Sequence, residues 1–107
     1  MAEGERWATV ASAGALGEGD MVGVKLGDKP IALYNVAGRI YATDNVCTHA
    51  FALLTDGWLD GVEIECPLHA GRFDVTTGKG LGPPIPSDLK TYSVRVIGDE
   101  VQIAVHD

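Results

Sequence analysis

Two short cysteine–histidine pairs are the residues of this chain with the clearest capacity for chemistry. The segments Cys47–His49 (C-T-H) and Cys66–His69 (C-P-L-H) each carry one thiol and one imidazole, and the full pattern is C-x-H-x16-C-x2-H. Thiolates and neutral imidazoles are common protein ligands of transition metals. If the two segments form loops that face each other, they supply two sulfur and two nitrogen ligands.

Three kinds of site could use this set of side chains. The first is a [2Fe–2S] cluster with two cysteines on one iron and two histidines on the other, the Rieske arrangement. The second is a structural zinc site, and the third is a cysteine nucleophile with a histidine base. Zinc sites usually pair like ligands at short spacing, whereas each pair here is mixed, and a nucleophile would leave the second pair unexplained. The mixed order favours the binuclear cluster, with the other two sites as alternatives.

The two pairs also resemble the cluster-binding boxes of Rieske proteins. Residues 40–45 and 71–79 around them resemble the Rieske ferredoxins of bacterial aromatic-ring-hydroxylating dioxygenase systems, most closely the naphthalene-dioxygenase type. The resemblance implies one [2Fe–2S] cluster, held by Cys47, Cys66, His49 and His69. It also implies the Rieske fold, an antiparallel β sandwich with an inserted cluster-binding subdomain at about 44–86, and a Pro-containing third loop at 82–86 over the cluster.

The function implied by this resemblance is electron transfer and not catalysis. The chain would carry single electrons from an NAD(P)H-dependent flavoprotein reductase to the terminal oxygenase of an aromatic-ring dioxygenase system. Four protein ligands leave no open position on the irons, so no substrate chemistry is expected of the chain itself. A small Rieske subunit of another redox complex, such as nitrite reductase, is one alternative, and a zinc-stabilised β binding module is another from a different class.

Departures from the respiratory Rieske pattern predict a low reduction potential. The resemblance places Ala52 and Leu68 where respiratory members have an extra disulfide, and Gly71 and Phe73 where they have hydroxyl side chains. Hydrogen bonds to cluster sulfur stabilise the reduced state, so their absence lowers the potential. We expect a midpoint near the low end of the Rieske range, about −150 mV.

The elements that must position the boxes are short strands. Segments 6–10, 21–26, 31–36, 40–43, 62–65, 91–97 and 101–105 are rich in β-forming residues or alternate apolar with polar, and no helical periodicity extends over ten residues. We predict a hairpin turn at 27–30 and another at Gly98-Asp99. These features indicate a single all-β domain over residues 1–107, with all candidate chemistry in the long interruption from 44 to 86.

Composition excludes several partner classes. A net charge of -7 argues against a nucleic-acid binder, since phosphates would be repelled. No apolar run approaches membrane-spanning length, and the acidic first residues show no secretory signal, so we expect a cytoplasmic protein. We also expect it to be a monomer. Hydrophobic residues at 46% allow a globular core, and Trp7 and Trp58 are predicted to anchor it.

The residues around the boxes suggest how partners would be met. Six acids and one base, Arg72, lie between 44 and 74, which favours either a solvated surface or steering toward basic partner surfaces. An apolar rim beside the histidines is expected from Ala50, Phe51, Ala52, Leu53, Pro83 and Pro84. The six acids are Asp44, Asp56, Asp60, Glu63, Glu65 and Asp74.

Overall fold

The protein is built almost entirely of β-strands. The computed structural model describes residues 6–48, 52–68, 70–82 and 87–105, and these form ten strands and two 3₁₀ helices without an α-helix. Within these ranges no helix has the length and hydropathy that a membrane span needs. The all-β prediction is confirmed. The strands are β1 (Arg6–Ser12), β2 (Met21–Leu26), β3 (Lys29–Val36), β4 (Arg39–Asp44), β5 (Trp58–Asp60), β6 (Glu63–Glu65), β7 (Arg72–Asp74), β8 (Thr91–Tyr92), β9 (Val94–Ile97) and β10 (Glu100–Val105); the 3₁₀ helices are Ala13–Ala15 and Leu54–Asp56.

Two antiparallel sheets form the base of the fold. One has the strand order β1-β10-β9 and the other β2-β3-β4-β8. The β2–β3 hairpin turns on Gly27 and Asp28 alone, with Gly27 at φ 64, a conformation that glycine adopts without strain. The predicted turn over 27–30 was therefore two residues too long, because Lys29 and Pro30 already pair with Leu26 and Lys25.

The alternation in the sequence predicted one strand over 91–97, but this segment forms two strands. It breaks at Ser93 into β8, which pairs with β4, and β9, which pairs with β10. The Ser93 carbonyl accepts a hydrogen bond from the amide of Ala104 at 3.0 Å, so the break is held by the neighbouring strand. The chain thereby passes from one base sheet to the other, which residue-by-residue alternation cannot reveal.

Strand β3 is the centre of the protein because both of its faces are buried. Ile31 and Leu33 pack into a cluster with Val101 and Ile103 between the two base sheets. Ala32 and Tyr34, on the opposite face, pack into a second cluster that contains both cysteines. The four-stranded sheet is thus covered on one side by the β1-β10-β9 sheet and on the other by the segment that carries the boxes.

That segment contains its own small sheet, with the strand order β5-β6-β7. Its inner face presents Leu59, Ile64 and Phe73, which are cross-strand neighbours and pack into the cysteine-containing cluster. Gly57 lies so close to this sheet that a Cβ added there would sit 1.9 Å from the carbonyl oxygen of Glu65. The described residues of this interruption therefore include a small packed sheet, and the subdomain bounds at about 44–86 stay a prediction.

Candidate metal centre

The first box begins where β4 ends. The amide of Cys47 donates to the carbonyl of Ala52 at 3.0 Å, and the flanking residues Val46 and Leu53 form an isolated antiparallel bridge. These contacts close residues 47–52 into a loop with Cys47 at its base. Cys47 itself is therefore positioned by backbone contacts of a loop and not by a strand or a helix.

Asn45 fixes this loop to the base of the fold. Its amide side chain donates to Thr55 Oγ1 at 2.9 Å and accepts from the backbone amide of Thr55 at 3.0 Å. Its own amide donates to the carbonyl of Pro30 at 3.1 Å, and its carbonyl accepts from Leu54 at 2.8 Å. Asn45 is only 2% exposed, so all of these bonds are made away from bulk water, where an unmade bond is costly. Nothing in the sequence marks Asn45 as functional except its position directly after a strand and before the box.

The second box lies in the connection between β6 and β7. The amide of Cys66 donates to the carbonyl of Gly71 at 2.7 Å, which closes a short loop with Cys66 at its base. Ala70, inside this loop, has φ 56, in the left-handed region that non-glycine residues seldom occupy. The two boxes thus have the same design, a cysteine whose backbone amide closes the loop that follows it.

The two cysteines are buried in the same apolar cluster. Cys47 is 4% exposed and Cys66 is fully buried, and no disulfide joins them. Phe73, Ile64 and Leu54 complete their surroundings. Two thiols brought together in a dry pocket without oxidation fit a shared metal group, since cysteine ligates metal as the thiolate.

His49 and His69, the other two predicted ligands, lie outside the described residues and remain predictions. The described residues alone accordingly contain no set of three or more histidine, cysteine, aspartate or glutamate side chains that could hold a metal ion. Ala50, Phe51, Pro83 and Pro84 of the predicted apolar rim also fall outside these ranges. Of that rim the structure describes Ala52, which is half-buried, and Leu53, which is 40% exposed.

The third loop is attached to the first box by a side chain. Thr48, between Cys47 and His49 in sequence, donates its hydroxyl to the carbonyl of Ser87 at 2.9 Å. The side chain of Asp88, next to Ser87, accepts from the amide of Gly80 at 2.9 Å, which joins the residues that follow the loop to those that precede it. The ends of the predicted covering loop are therefore held beside the boxes, while residues 83–86 lie outside the description.

The positions that bear on the redox potential carry no hydroxyl. Phe73 is fully buried in the cysteine-containing cluster, and Gly71 is buried at the closure of the second loop. Ala52 and Leu68 stand where the resemblance places a disulfide in respiratory members. The low potential expected from these residues stays a prediction.

A network of charges covers the outer face of the β5-β6-β7 sheet. The guanidinium of Arg72 lies 2.7 Å from Glu65, 3.0 Å from Glu63 and 3.6 Å from Asp60. Hydrogen bonds that its guanidinium donates to the carboxylates of Glu63 and Glu65 raise the pKa of Arg72 above its usual range. At the end of the same sheet, hydrogen bonds from Thr76 lower the pKa of Asp74. Part of the acidity noted in the sequence is therefore neutralised locally.

The two tryptophans differ from expectation. Trp7 is half-buried, with the guanidinium of Arg95 4.3 Å from its ring centroid. Trp58 was predicted to anchor the core, but this is wrong, because it is 60% exposed on the outer face of β5. Its neighbour Leu59 takes the inward position in that strand.

Comparison with known proteins identifies the family to which this arrangement belongs. Residues 6–93, which include both boxes, match the family of Rieske [2Fe–2S] domains. The chain belongs to the Rieske [2Fe–2S] family. Membership implies a [2Fe–2S] cluster, so the first of the three kinds of site is the one supported.

Similar Rieske proteins are known from dioxygenase systems. The chain is 56% identical, over 86% of its length and 88% of the relative's, to the ferredoxin component of naphthalene 1,2-dioxygenase/salicylate 5-hydroxylase systems of Ralstonia sp.. It is 50% identical, over 92% of its length and 95% of the relative's, to the ferredoxin component of the naphthalene 1,2-dioxygenase system of Pseudomonas aeruginosa. A solved complex of reduced oxygenase and oxidized ferredoxin in carbazole 1,9a-dioxygenase matches with TM-score 0.86 and 39% identity, over 92% of each chain.

These matches confirm several of the predictions made from sequence. The Rieske fold and the resemblance to ferredoxins of naphthalene-dioxygenase type are confirmed. The relatives are ferredoxin components, which confirms an electron carrier over a catalytic subunit.

Proposed function

We propose that this chain is the electron-transfer ferredoxin of an aromatic-ring dioxygenase system. The observation that carries the proposal is the 50–56% identity, over most of both chains, with ferredoxin components of naphthalene dioxygenase systems. Supporting it, the two cysteines of the boxes are buried in one apolar cluster without a disulfide. The chain carries electrons and leaves the chemistry of the aromatic ring to an oxygenase.

One cluster is proposed per chain, with ligands from both boxes. Cys47 and Cys66 would bind one iron as thiolates, and His49 and His69 would bind the other through neutral imidazole nitrogens. A bound cluster of this kind supplies a reversible one-electron couple. The chain has no third cysteine, so both thiols are needed for a single cluster.

The protein's part in this chemistry is to hold and shield the ligands. The closed loops at Cys47 and Cys66 fix the two sulfurs, and the apolar cluster around them excludes water. A dry, preformed site reduces the reorganisation that accompanies a change of charge, which favours fast electron transfer. The two histidine ligands are the proposed exit for electrons, because both described cysteines are buried and leave little sulfur surface for a partner to contact.

We infer two protein partners, a flavoprotein reductase that draws electrons from NAD(P)H and a terminal oxygenase. One NAD(P)H delivers two electrons to the flavin, so two molecules of a one-electron carrier are reduced per NAD(P)H oxidised. The carbazole system, in which oxygenase and ferredoxin form a complex, supports the second partner by similarity. A monomer in the cytoplasm fits this role, because NAD(P)H is available there and thiols stay reduced.

Metal analysis and reconstitution together test this function. We expect about two irons and two acid-labile sulfides per chain, with an electron paramagnetic resonance signal only after reduction by one electron. Zinc without sulfide would overturn the assignment. Added to the reductase and oxygenase of a naphthalene dioxygenase system, the chain should restore NADH-dependent product formation. If the chain fails in this assay but restores turnover when it is added to the remaining subunits of a nitrite reductase complex, the alternative redox role would be favoured.

A further inference from the structure

The outer face of the β5-β6-β7 sheet carries both charged side chains and an exposed aromatic ring. The inner face of these strands is buried, whereas the outward side chains form two cross-strand rows. We call this surface the outer sheet face. One row is Trp58, Glu65 and Arg72, and the other is Asp60, Glu63 and Asp74.

Trp58 is the unusual member of the outer sheet face. It is 60% exposed on an edge strand, the highest exposure among the large hydrophobic residues described. The chain covers its other tryptophan by placing Arg95 over the ring of Trp7, and no such contact is found for Trp58 among the described residues. Exposed tryptophans are enriched as anchors of protein interfaces, where burial of a large rigid ring contributes much of the affinity.

The charges around Trp58 determine what kind of surface would fit. Four carboxylates and one guanidinium give the outer sheet face a net charge of about −3 at neutral pH. Arg72 is paired with Glu63 and Glu65 on the same face, so its positive charge is already taken up by the sheet's own acids. A partner would therefore meet an aromatic ring beside anionic side chains, which complements a cationic surface.

We propose that the outer sheet face is the docking surface for the flavoprotein reductase. This inference rests on the proposed function. A reductase that binds NAD(P)H and a flavin must hold several phosphates, so positive potential is expected around its cofactor sites. The aromatic substrate of an oxygenase imposes no comparable demand. Of the two redox partners, the reductase is therefore the one whose chemistry complements an acidic face.

The position of the face also suits electron transfer. Strand β6 ends at Glu65, directly before Cys66, and β7 begins at Arg72, directly after the closure of the second loop at Gly71. A partner seated on the outer sheet face is thus beside the second box and does not need to contact the base sheets.

Binding and reduction kinetics test the proposal with matched variants. The holoprotein is titrated with the flavoprotein reductase of a naphthalene 1,2-dioxygenase system, such as that of Pseudomonas putida, by calorimetry and by stopped-flow reduction. Trp58→Thr keeps a β-forming residue and should weaken binding about tenfold or more. Ile97→Ser, which removes an exposed apolar side chain from β9, is the control and should bind as the unmodified chain does.

A charge variant gives an independent measurement. Asp60 makes the longest of the Arg72 ion pairs and its side chain is 78% exposed, so Asp60→Asn should leave the sheet intact. We expect the association rate at low ionic strength to fall about two- to fivefold and its salt dependence to become weaker. Asp28→Asn, in the β2–β3 turn, is the control for a lost surface charge and should change neither.

The possible results separate the two levels of the proposal. Unchanged reductase binding by both Trp58→Thr and Asp60→Asn, with normal iron content, would overturn the docking surface but not the ferredoxin role. If these variants instead transferred electrons poorly to the oxygenase while the reductase reduced them normally, the docking proposal would also be overturned. In that case the oxygenase would be the partner that binds the outer sheet face. An unmodified holoprotein that accepts no electrons from the reductase would instead contradict the proposed function itself.

Discussion

The backbone amide of Cys66 donates to the carbonyl oxygen of Gly71 at 2.7 Å, and this bond defines the base of the second box. The first box has the matching bond from Cys47 to Ala52 at 3.0 Å. Each of the two predicted cysteine ligands is therefore held by its own backbone hydrogen bond. The loops are attached to different sheets, the first next to β4 and the second between β6 and β7. Cluster binding consequently depends on residues that hold these two supports in place.

Substitution of Asn45 should weaken the first support. Asn45→Ala leaves the half-buried amide of Thr55 without its partner, so we expect a loss of about 2 kcal/mol in the free energy of unfolding and faster loss of iron. Asn35→Ala is the control, because the Asn35 side chain is also buried and bonds Leu16 and Gly38 away from the boxes. Chemical unfolding and iron release measure the two effects. Equal acceleration of iron loss in both variants would argue against a specific role for Asn45.

Gly57 tests the second support through a steric clash. A methyl group there would meet the Glu65 carbonyl, one residue before Cys66, at 1.9 Å, so Gly57→Ala must displace the sheet or the loop. We expect a loss of about 3 kcal/mol or more and a poorly loaded protein. Gly61→Ala, at φ 63 with open space around it, should cost only about 1 kcal/mol and retain iron. Similar iron contents in the two variants would contradict this prediction.

A hydroxyl at position 73 should raise the reduction potential. Phe73 is fully buried in the cluster that contains both cysteines, and a hydrogen bond to ligand or cluster sulfur would stabilise the reduced state. One such bond of about 1 kcal/mol corresponds to roughly 40 mV for a one-electron couple. Phe73→Tyr should therefore shift the midpoint upward by tens of millivolts in a redox titration.

Tyr34→Phe serves as the control for this redox prediction. The Tyr34 hydroxyl is bonded to Thr43 at 2.8 Å within the same buried cluster, so its loss should lower stability and leave the midpoint unchanged. A downward or absent shift in Phe73→Tyr, with the cluster intact, would show that position 73 does not tune the potential.

Acidification should remove a contribution of Asp74 to stability. Bonds from the amide and hydroxyl of Thr76, at 2.8 and 2.6 Å, lower the pKa of Asp74 below its ordinary 3.8. A carboxylate with a lowered pKa in the folded state stabilises the fold fully above its ordinary pKa, and this contribution is lost as the pH falls through the folded value. The stability difference between the unmodified chain and Asp74→Asn should therefore shrink below about pH 4 in thermal unfolding. A difference that grows on acidification would contradict the assignment.

The sequence was most informative where chemistry restricts residue types. The pairing of Cys47 with His49 and of Cys66 with His69 predicted the cofactor class, because few metal sites accept mixed pairs at that spacing. The strand pattern predicted the base sheets for a similar reason, since alternation records which face is buried.

Features that depend on distant contacts could not be predicted in the same way. Strand β5 has three residues, too few to show a period, so nothing in the sequence placed Leu59 inward and Trp58 outward. The break at Ser93 depends on two different partner strands. The roles of Asn45 and Gly57 arise from segments ten and eight residues away, Thr55 and Glu65, which meet them only in the folded chain.

The burial of strand β3 on both faces has a consequence for how the protein opens. Ile31 and Leu33 join it to the β1-β10-β9 sheet, whereas Ala32 and Tyr34 join it to the cysteine-containing cluster. Neither layer can separate without exposing one face of this strand. Amide hydrogen exchange should therefore be slowest along β3, with rates that report global unfolding. The amides of β5, β6 and β7 should exchange much faster.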